Sequence, residues 1–169
     1  MTGVQTCALP ISERMKLLEE MEKQFDNQNE QYFKCLLTHT DNVIRTRAVC
    51  ILADLAGENA VESISQVLKK DSDALVRHEA AFSLGQLGFT SAVNALSDAI
   101  ESDPSLFVRH EAAIALGVIG SEKARKILNK ALNDDESKEV KSSVIIALAN
   151  LDYISIMKRN NEFTKMTGG

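Results

Sequence analysis

The sequence predicts an all-α solenoid of about four two-helix repeats with an N-terminal capping helix. Three observations support this: a period of 32 residues, helical spacing of apolar residues within each period, and a scarcity of helix breakers. The chain has 169 residues, with 2 prolines and no tryptophan. Few breakers and few aromatic residues favour helix over sheet. A chain of this length fits a single domain with a substantial core.

The repeat is visible as four segments that align without gaps. The second segment reads Val-Arg-His-Glu-Ala-Ala-Phe-Ser-Leu-Gly-Gln-Leu-Gly from Val76, and the third begins Val-Arg-His-Glu-Ala-Ala from Val108. Apolar residues recur at steps of three and four, which places them on one side of a helix. The segments span 44–56, 76–88, 108–120 and 140–152, so successive segments start 32 residues apart.

Residues suited to helix ends flank these segments. Three residues before each start lies an Asp or a Ser, whose side-chain oxygen accepts unpaired backbone N–H groups at a helix start. Gly88 and Gly120 stand where a helix should end, because glycine readily adopts the left-handed conformation. The predicted N-caps are Asp41, Asp73, Ser105 and Ser137.

A second, weaker helical pattern lies between the segments, at 60–68, 92–100 and 124–132. Two helices in a unit of about 32 residues are typical of an α-solenoid. Each pair cannot bury its apolar face alone, so neighbouring units stack into one continuous core. We therefore predict a repeat domain over 41–153.

The flanks complete the predicted organisation. Helical patterns at 13–25 and 31–37 indicate N-terminal capping helices within 12–40. Residues 2–11 resemble the translation of a sequencing-library adapter, so we expect 1–11 to be an artefact outside the fold and the true N-terminus to be missing. The C-terminal stretch 154–169 is polar, and it is expected either to be partly disordered or to cover the last repeat.

Composition limits the function classes. The net charge of −5 gives no reason to expect nucleic-acid binding, although it permits a cationic partner. The cysteines (Cys7, Cys35 and Cys50) have neither CxxC nor metal-ligand spacing, which favours a reducing cytoplasm. No apolar run approaches the length of about 20 residues that a membrane span needs, so no membrane contact is expected.

Two positions in the repeat are not explained by packing. The pattern Val-Arg-x-x-Ala-Ala-x-x-Leu-Gly indicates packing, with the arginine bracing the stack. The x-x pair is His78-Glu79 in the second repeat and His110-Glu111 in the third. It is Thr-Arg in the first repeat and Ser-Ser in the fourth, so the outer repeats lack it although the scaffold continues.

The spacing of these pairs is compatible with metal binding. Equivalent positions on stacked helices lie roughly 8–10 Å apart, so two histidines can reach one ion. Two His and one carboxylate with open positions form the non-haem Fe(II) pattern. A Glu could instead bridge to the next repeat or stand behind a ligand. The alternative is that the pairs were copied by duplication and face solvent, where Glu near a helix start is favourable by itself. His39 is expected to be a loop residue.

The stretch 44–153 resembles one half of deoxyhypusine hydroxylase, a family of HEAT-like repeats. The residues that carry the resemblance are Asp-Ser-Asp-Ala-Leu-Val-Arg-His-Glu ending at Glu79, Leu-Gly-Gln ending at Gln86, Phe-Val-Arg-His-Glu-Ala-Ala-Ile-Ala-Leu-Gly-Val-Ile-Gly ending at Gly120, and Leu-Asp-Tyr ending at Tyr153. In that family, the two middle repeats of each half carry His-Glu and the outer repeats do not.

The resemblance implies a di-iron monooxygenase that hydroxylates the deoxyhypusine side chain of a translation factor. His78, His110 and Glu111 would be iron ligands. Glu79 would be a further ligand or a catalytic residue that binds the cationic amines of the substrate. The family needs four His-Glu pairs and this chain has two. A homodimer with two irons would restore the count, or the chain would be the C-terminal half of a longer enzyme.

Two other functions are compatible with the same scaffold. One is a non-catalytic HEAT-repeat module that binds another protein through its concave face, without metal and as a monomer. The other hypothesis is a lyase-type or chaperone-like protein that handles a tetrapyrrole. Fold alone does not decide between them.

Overall fold

A computed structural model describes residues 9–159, and these residues form helices without any strand. Short 3-10 turns at Gly57–Ala60, Thr90–Ala92 and Glu122–Ala124 precede α4, α6 and α8. The helices are α1 (Ile11–Asp26), α2 (Glu30–Leu36), α3 (Asn42–Ala56), α4 (Val61–Lys70), α5 (Ala74–Leu87), α6 (Val93–Ser102), α7 (Leu106–Ile119), α8 (Arg125–Asp134) and α9 (Lys138–Arg159).

The repeat helices stack as a solenoid, which confirms the predicted fold class. An inner row consists of α3, α5, α7 and α9, each packed against the next, and an outer row consists of α4, α6 and α8. The buried side chains of both rows form one continuous apolar cluster, as expected for units that cannot bury their own faces. Within residues 9–159, the fourth repeat contributes only its inner helix.

Helix ends follow the predicted chemistry, with two exceptions, at Ser105 and at the end of α9. Asp41 accepts the backbone N–H of Val43 at 3.0 Å, and Asp73 accepts that of Leu75 at 2.8 Å. Ser105 takes the N-cap position without a side-chain bond. Gly88 and Gly120 adopt φ values of 72° and 65° after α5 and α7. The fourth segment has Asp at this position, and α9 runs on past it to Arg159.

Small residues set the distance between the inner helices. A Cβ added to Gly85 of α5 would lie 2.8 Å from the Cβ of Ala115 in α7. A Cβ added to Gly117 of α7 would lie 2.8 Å from the Cα of Ala147 in α9. The Leu-Gly of the repeat therefore marks a close helix approach, because only a missing side chain leaves room for the neighbouring backbone.

The repeat arginines brace the stack, as the sequence indicated. Arg77 donates from Nε to Asp103 at 2.7 Å and from Nη2 at 3.0 Å, in the planar paired geometry of a guanidinium on a carboxylate. Its Nη1 also donates to the backbone carbonyl of Asp71, in the preceding linker. The hydrogen bonds that Arg77 donates to Asp103 raise the pKa of Arg77. Arg45 pairs with Asp71, and Arg109 with Asp135, in the same way.

The N-terminal helices close the first repeat. Phe33 of α2 and Met21 of α1 are fully buried in the common core. Arg14 pairs with the buried carboxylate of Asp41 at 2.7 Å, and the backbone N–H of Leu9 donates to the same carboxylate at 2.9 Å. The predicted artefact at 1–11 lies mostly outside the described residues and stays a prediction.

The first residues of the predicted C-terminal tail are helical and belong to α9. Residues 154–159 continue α9, and a Cβ added to Gly120 would meet the side chain of Ile154, which is partly buried. The stretch 160–169 lies outside the described residues, so the predicted choice between disorder and a cover over the repeat stays open there.

One helix among residues 9–159 is long and apolar enough to cross a membrane, judged by length and composition alone, over Lys138–Met157. The core helix of a soluble protein passes the same test, so this is weak evidence. Here the segment is the inner helix of the fourth repeat, and its Val140, Val144 and Leu151 are buried in the common core.

Candidate functional site

The His-Glu pairs lie in the second turn of α5 and of α7, on neighbouring helices of the inner row. The adjacent core positions, Val76, Ala80 and Ala81 in α5, are fully buried. His78 is partly exposed, with 36% of its side chain accessible. The arginine that precedes each pair bonds to linker residues, whereas the pair itself contacts neighbouring helices of the inner row.

His78 and Glu111 meet across the junction between α5 and α7. The Nε2 of His78 lies 3.4 Å from the Oε2 of Glu111, whose side chain is only 11% exposed. The histidine of one repeat therefore contacts the glutamate of the next, rather than its own sequence neighbour. Adjacent residues point about 100° apart on a helix, so the two members of a pair face different neighbours. The contact agrees with the expectation that a Glu could bridge between repeats.

His110 makes the equivalent contact with the fourth repeat. Its Nδ1 lies 2.7 Å from the Oγ of Ser143 in α9. Ser143 occupies the position that corresponds to Glu79 and Glu111, one repeat further along. The shorter serine side chain meets Nδ1, the ring nitrogen nearer the histidine backbone, where Glu111 meets Nε2 of His78.

Glu79 is held from the other side by the first repeat. The Cys50 thiol in α3 donates to Oε1 of Glu79 at 2.9 Å. Burial, followed by the hydrogen bond to Glu79, raises the pKa of Cys50 to about 12. Cys50 therefore stays a neutral thiol at neutral pH and acts as a donor, not as a nucleophile. Beside it is a cavity of about 350 Å³ whose charged lining residues are Glu22, Asp26, Asp54 and Arg47.

The four predicted site residues thus lie in one row and make three separate contacts, one between His78 and Glu111 and one each with Cys50 and Ser143. The predicted sharing of one ion by His78 and His110 has no direct counterpart, since each histidine contacts a separate partner. No group of three or more potential ligands from His, Cys, Asp and Glu is assembled within residues 9–159. Their assignment as metal ligands stays a prediction.

The His78–Glu111 pair nevertheless fits one ion by its donor chemistry and spacing. Two ligand atoms bound at about 2.1 Å lie about 3.0–3.4 Å apart at octahedral or tetrahedral angles. The 3.4 Å between Nε2 and Oε2 falls in this range, and it is long for a direct hydrogen bond. The pair can therefore supply two of the three ligands in a two-His, one-carboxylate set.

Large apolar side chains are exposed beside the His-Glu positions. They occur three residues before or four residues after the histidine position, which places them on the same side of each inner helix. Phe107 is 65% exposed and Ile146 is 68% exposed. The other members are Leu75, Phe82 and Ile114.

Sequence reasoning missed Ser143, Cys50 and these apolar residues as parts of the site. The period of 32 could have indicated Ser143, because it aligns with the two glutamates. His39, expected in a loop, lies between α2 and α3, and its Nδ1 accepts the backbone N–H of Asp41 at 3.0 Å.

Comparison with known proteins assigns the chain to a repeat family. Residues 61–149 match the family of HEAT repeats. The chain belongs to the HEAT-repeat family. None of the curated protein sequences matches it significantly. Among solved structures, it is similar to human deoxyhypusine hydroxylase in complex with glycerol, with a TM-score of 0.69 and 28% sequence identity.

The extent of this match is unequal in the two proteins. The alignment covers 84% of this HEAT-repeat chain and 49% of the human hydroxylase chain. The chain therefore spans about half the length of that protein. The resemblance to one half of a deoxyhypusine hydroxylase, inferred from the His-Glu repeats, is confirmed at the level of fold and sequence similarity.

Proposed function

We propose that this HEAT-repeat protein is a non-haem iron monooxygenase of the deoxyhypusine hydroxylase type that acts as a homodimer. The observation that carries the proposal is the 3.4 Å approach of His78 Nε2 to Glu111 Oε2 between adjacent repeats. It occurs in a chain that resembles half of the human enzyme. The substrate would be a deoxyhypusine-bearing translation factor, and the compartment the cytoplasm.

In this proposal, the protein supplies positions and charges. His78 and Glu111 would hold the ion from two helices, with His110 completing the set, and bound iron would supply oxygen activation. The inner row would keep the imidazole and carboxylate donors at fixed spacing, because the Gly85–Ala115 approach and the arginine pairs make the helix stack rigid.

The acidic side of the site suits a cationic side chain. Cys50 fixes Oε1 of Glu79, so the second oxygen of this carboxylate would accept an N–H from an amine of the substrate. Among the described residues, the neighbouring cavity is lined by Glu22, Asp26 and Asp54 against a single cation, Arg47, and this excess of negative charge would favour a polyamine-like group.

A dimer would complete the iron count. Each chain offers one His78–Glu111 pair, and a two-fold contact would place the same face of two chains together. The exposed apolar residues beside the site, such as Phe107 and Ile146, would be buried in such a contact. Two irons per dimer would follow, one from each protomer.

The first test is iron content and oligomeric mass on one anaerobically iron-loaded sample of the full chain. We expect roughly one iron per chain in a dimer. His78→Ala and Glu111→Ala should each lose the iron while the circular dichroism of the helices is unchanged. His39→Ala is the matched control, since His39 lies away from the row, and it should keep the iron. A folded, metal-free monomer would contradict the proposal.

A protein-binding scaffold is the second candidate, and the exposed apolar residues favour it. Contiguous exposed apolar side chains often mark sites of protein association. In this case Phe107→Ser and Ile146→Ser would abolish binding of a partner, while His78→Ala and Glu111→Ala would leave it intact. Loss of hydroxylation of a deoxyhypusine-bearing substrate in His78→Ala would favour the enzyme instead.

A further inference from the structure

Ser143 lies where the inner row passes from the third repeat to the fourth. Its hydroxyl oxygen is 2.7 Å from Nδ1 of His110 and 3.1 Å from the backbone carbonyl of Glu139, one turn earlier in α9. Ser143 is 3% exposed, so water does not satisfy its hydroxyl group. The proton of that hydroxyl therefore has two competing acceptors.

The Ser143 proton can point either to the Glu139 carbonyl or to Nδ1 of His110, and the two arrangements differ in how many hydrogen bonds they form. If Ser143 donates to the Glu139 carbonyl, its oxygen accepts Nδ1–H from His110, and both close contacts are hydrogen bonds. If Ser143 donates to a bare Nδ1, the contact with the carbonyl has no proton. The first arrangement makes one more hydrogen bond in a buried place. Its two hydrogen bonds run in sequence from His110 through Ser143 to the carbonyl, so each strengthens the other. Serine also commonly bonds to the carbonyl four residues earlier in a helix.

We propose that Ser143 is a positioning residue that fixes His110 in its Nδ1–H tautomer. Nε2 of His110 then carries the lone pair, which is the form an imidazole must have to bind a metal through that nitrogen. The effect of this tautomer on iron binding rests on the proposed function, but the tautomer itself is a property of the metal-free chain. Metal-binding histidines are typically oriented in this way by a partner of their second ring nitrogen.

His78 and Ser142 give internal comparisons. His78 directs Nε2 at the Glu111 carboxylate, and no hydroxyl fixes its Nδ1 in the described contacts of residues 9–159. Ser142 is exposed and bonds only to the Lys138 carbonyl among those contacts. The two neighbouring serines belong to the same helix, but only Ser143 contacts a histidine among the described residues.

The test is ¹⁵N-edited NMR on histidine-labelled, metal-free full chain in alkaline buffer, where imidazoles are neutral. The chain has three histidines, and His110→Gln assigns the signal of interest. We expect the Nδ1–H pattern for His110 in the unchanged protein and in Ser142→Ala. Ser143→Ala should move His110 toward Nε2–H or a mixture, with unchanged helical circular dichroism and unchanged His78 signals.

An Nε2–H pattern for His110 in the unchanged protein would overturn the proposal, and so would an Nδ1–H pattern that survives Ser143→Ala. Iron binding is measured separately, and Ser143→Ala should weaken it about 10- to 100-fold relative to Ser142→Ala. If the chain shows the Nδ1–H tautomer but binds no iron, the role of Ser143 in fixing His110 stands and the hydroxylase proposal fails.

Discussion

Neighbouring positions on the same helices differ in how strictly the repeat preserves them. The arginine at 45, 77 and 109 makes the same bond in each of the first three repeats, with Nε 2.7 Å from a linker aspartate each time. The next two positions make three different contacts along the inner row: thiol to carboxylate, imidazole to carboxylate, and imidazole to hydroxyl. The repeat therefore preserves the scaffold and varies the row that could bind a ligand.

The largest expected effect is the difference in stability between a variant of Arg77 and a variant of His78, the next residue in α5. Arg77→Ala should lower the free energy of unfolding by about 3 kcal/mol, because it leaves the Asp103 carboxylate buried without its partner. His78→Ala should change it by about 0.5 kcal/mol or less, since His78 is partly exposed and outside the core. Urea denaturation followed by circular dichroism measures both. Equal losses in the two variants would contradict the division between scaffold and site.

A smaller effect is expected where two inner helices approach each other. Gly85→Ala should destabilise the chain by about 1–3 kcal/mol, because the new methyl group would overlap Ala115 in α7. Adding Ala115→Gly to Gly85→Ala should recover part of the loss, since it removes the nearest atom and leaves the backbone. Thermal unfolding of the single and double variants is the measurement. An additive loss in the double variant would show that helix approach is not the cause.

The smallest effect concerns a link that, among residues 9–159, is present only at the first junction between repeats. The Asn42 side chain donates to Asp73 at 2.7 Å and, as the main cause, lowers the pKa of that carboxyl group. A depressed pKa stabilises the fold above the unfolded value of about 3.9, and this stabilisation is lost as the pH falls through the folded value. Asn42→Ala should cost about 1 kcal/mol at neutral pH.

The pH dependence checks this assignment. The difference between Asn42→Ala and the unchanged chain should shrink as the pH falls from about 5 to about 2, because Asp73 becomes protonated in both. Denaturant midpoints at several pH values measure it. A difference that stays constant over this range would mean that the lost stability comes from packing of Asn42 and not from the Asp73 carboxylate.

Local sequence determined most of the scaffold. The period of 32 located the inner helices, and the residues Asp41, Asp73, Gly88 and Gly120 marked their ends, because capping depends on a few adjacent residues. The end of α9 was less predictable. Its sequence lacks a glycine at the equivalent place, so the last helix continues into a stretch whose polar composition suggested a tail.

The sequence by itself determined the solenoid and the positions of the two His-Glu pairs. Only the tertiary structure decided that His78 contacts Glu111, that His110 contacts Ser143, and that Cys50 contacts Glu79. These contacts join residues of successive repeats, so they depend on the packing distance and rotation between helices. Local propensity contains neither quantity, because both are set by residues such as Gly85 and Ala115 that meet only after the repeats have stacked.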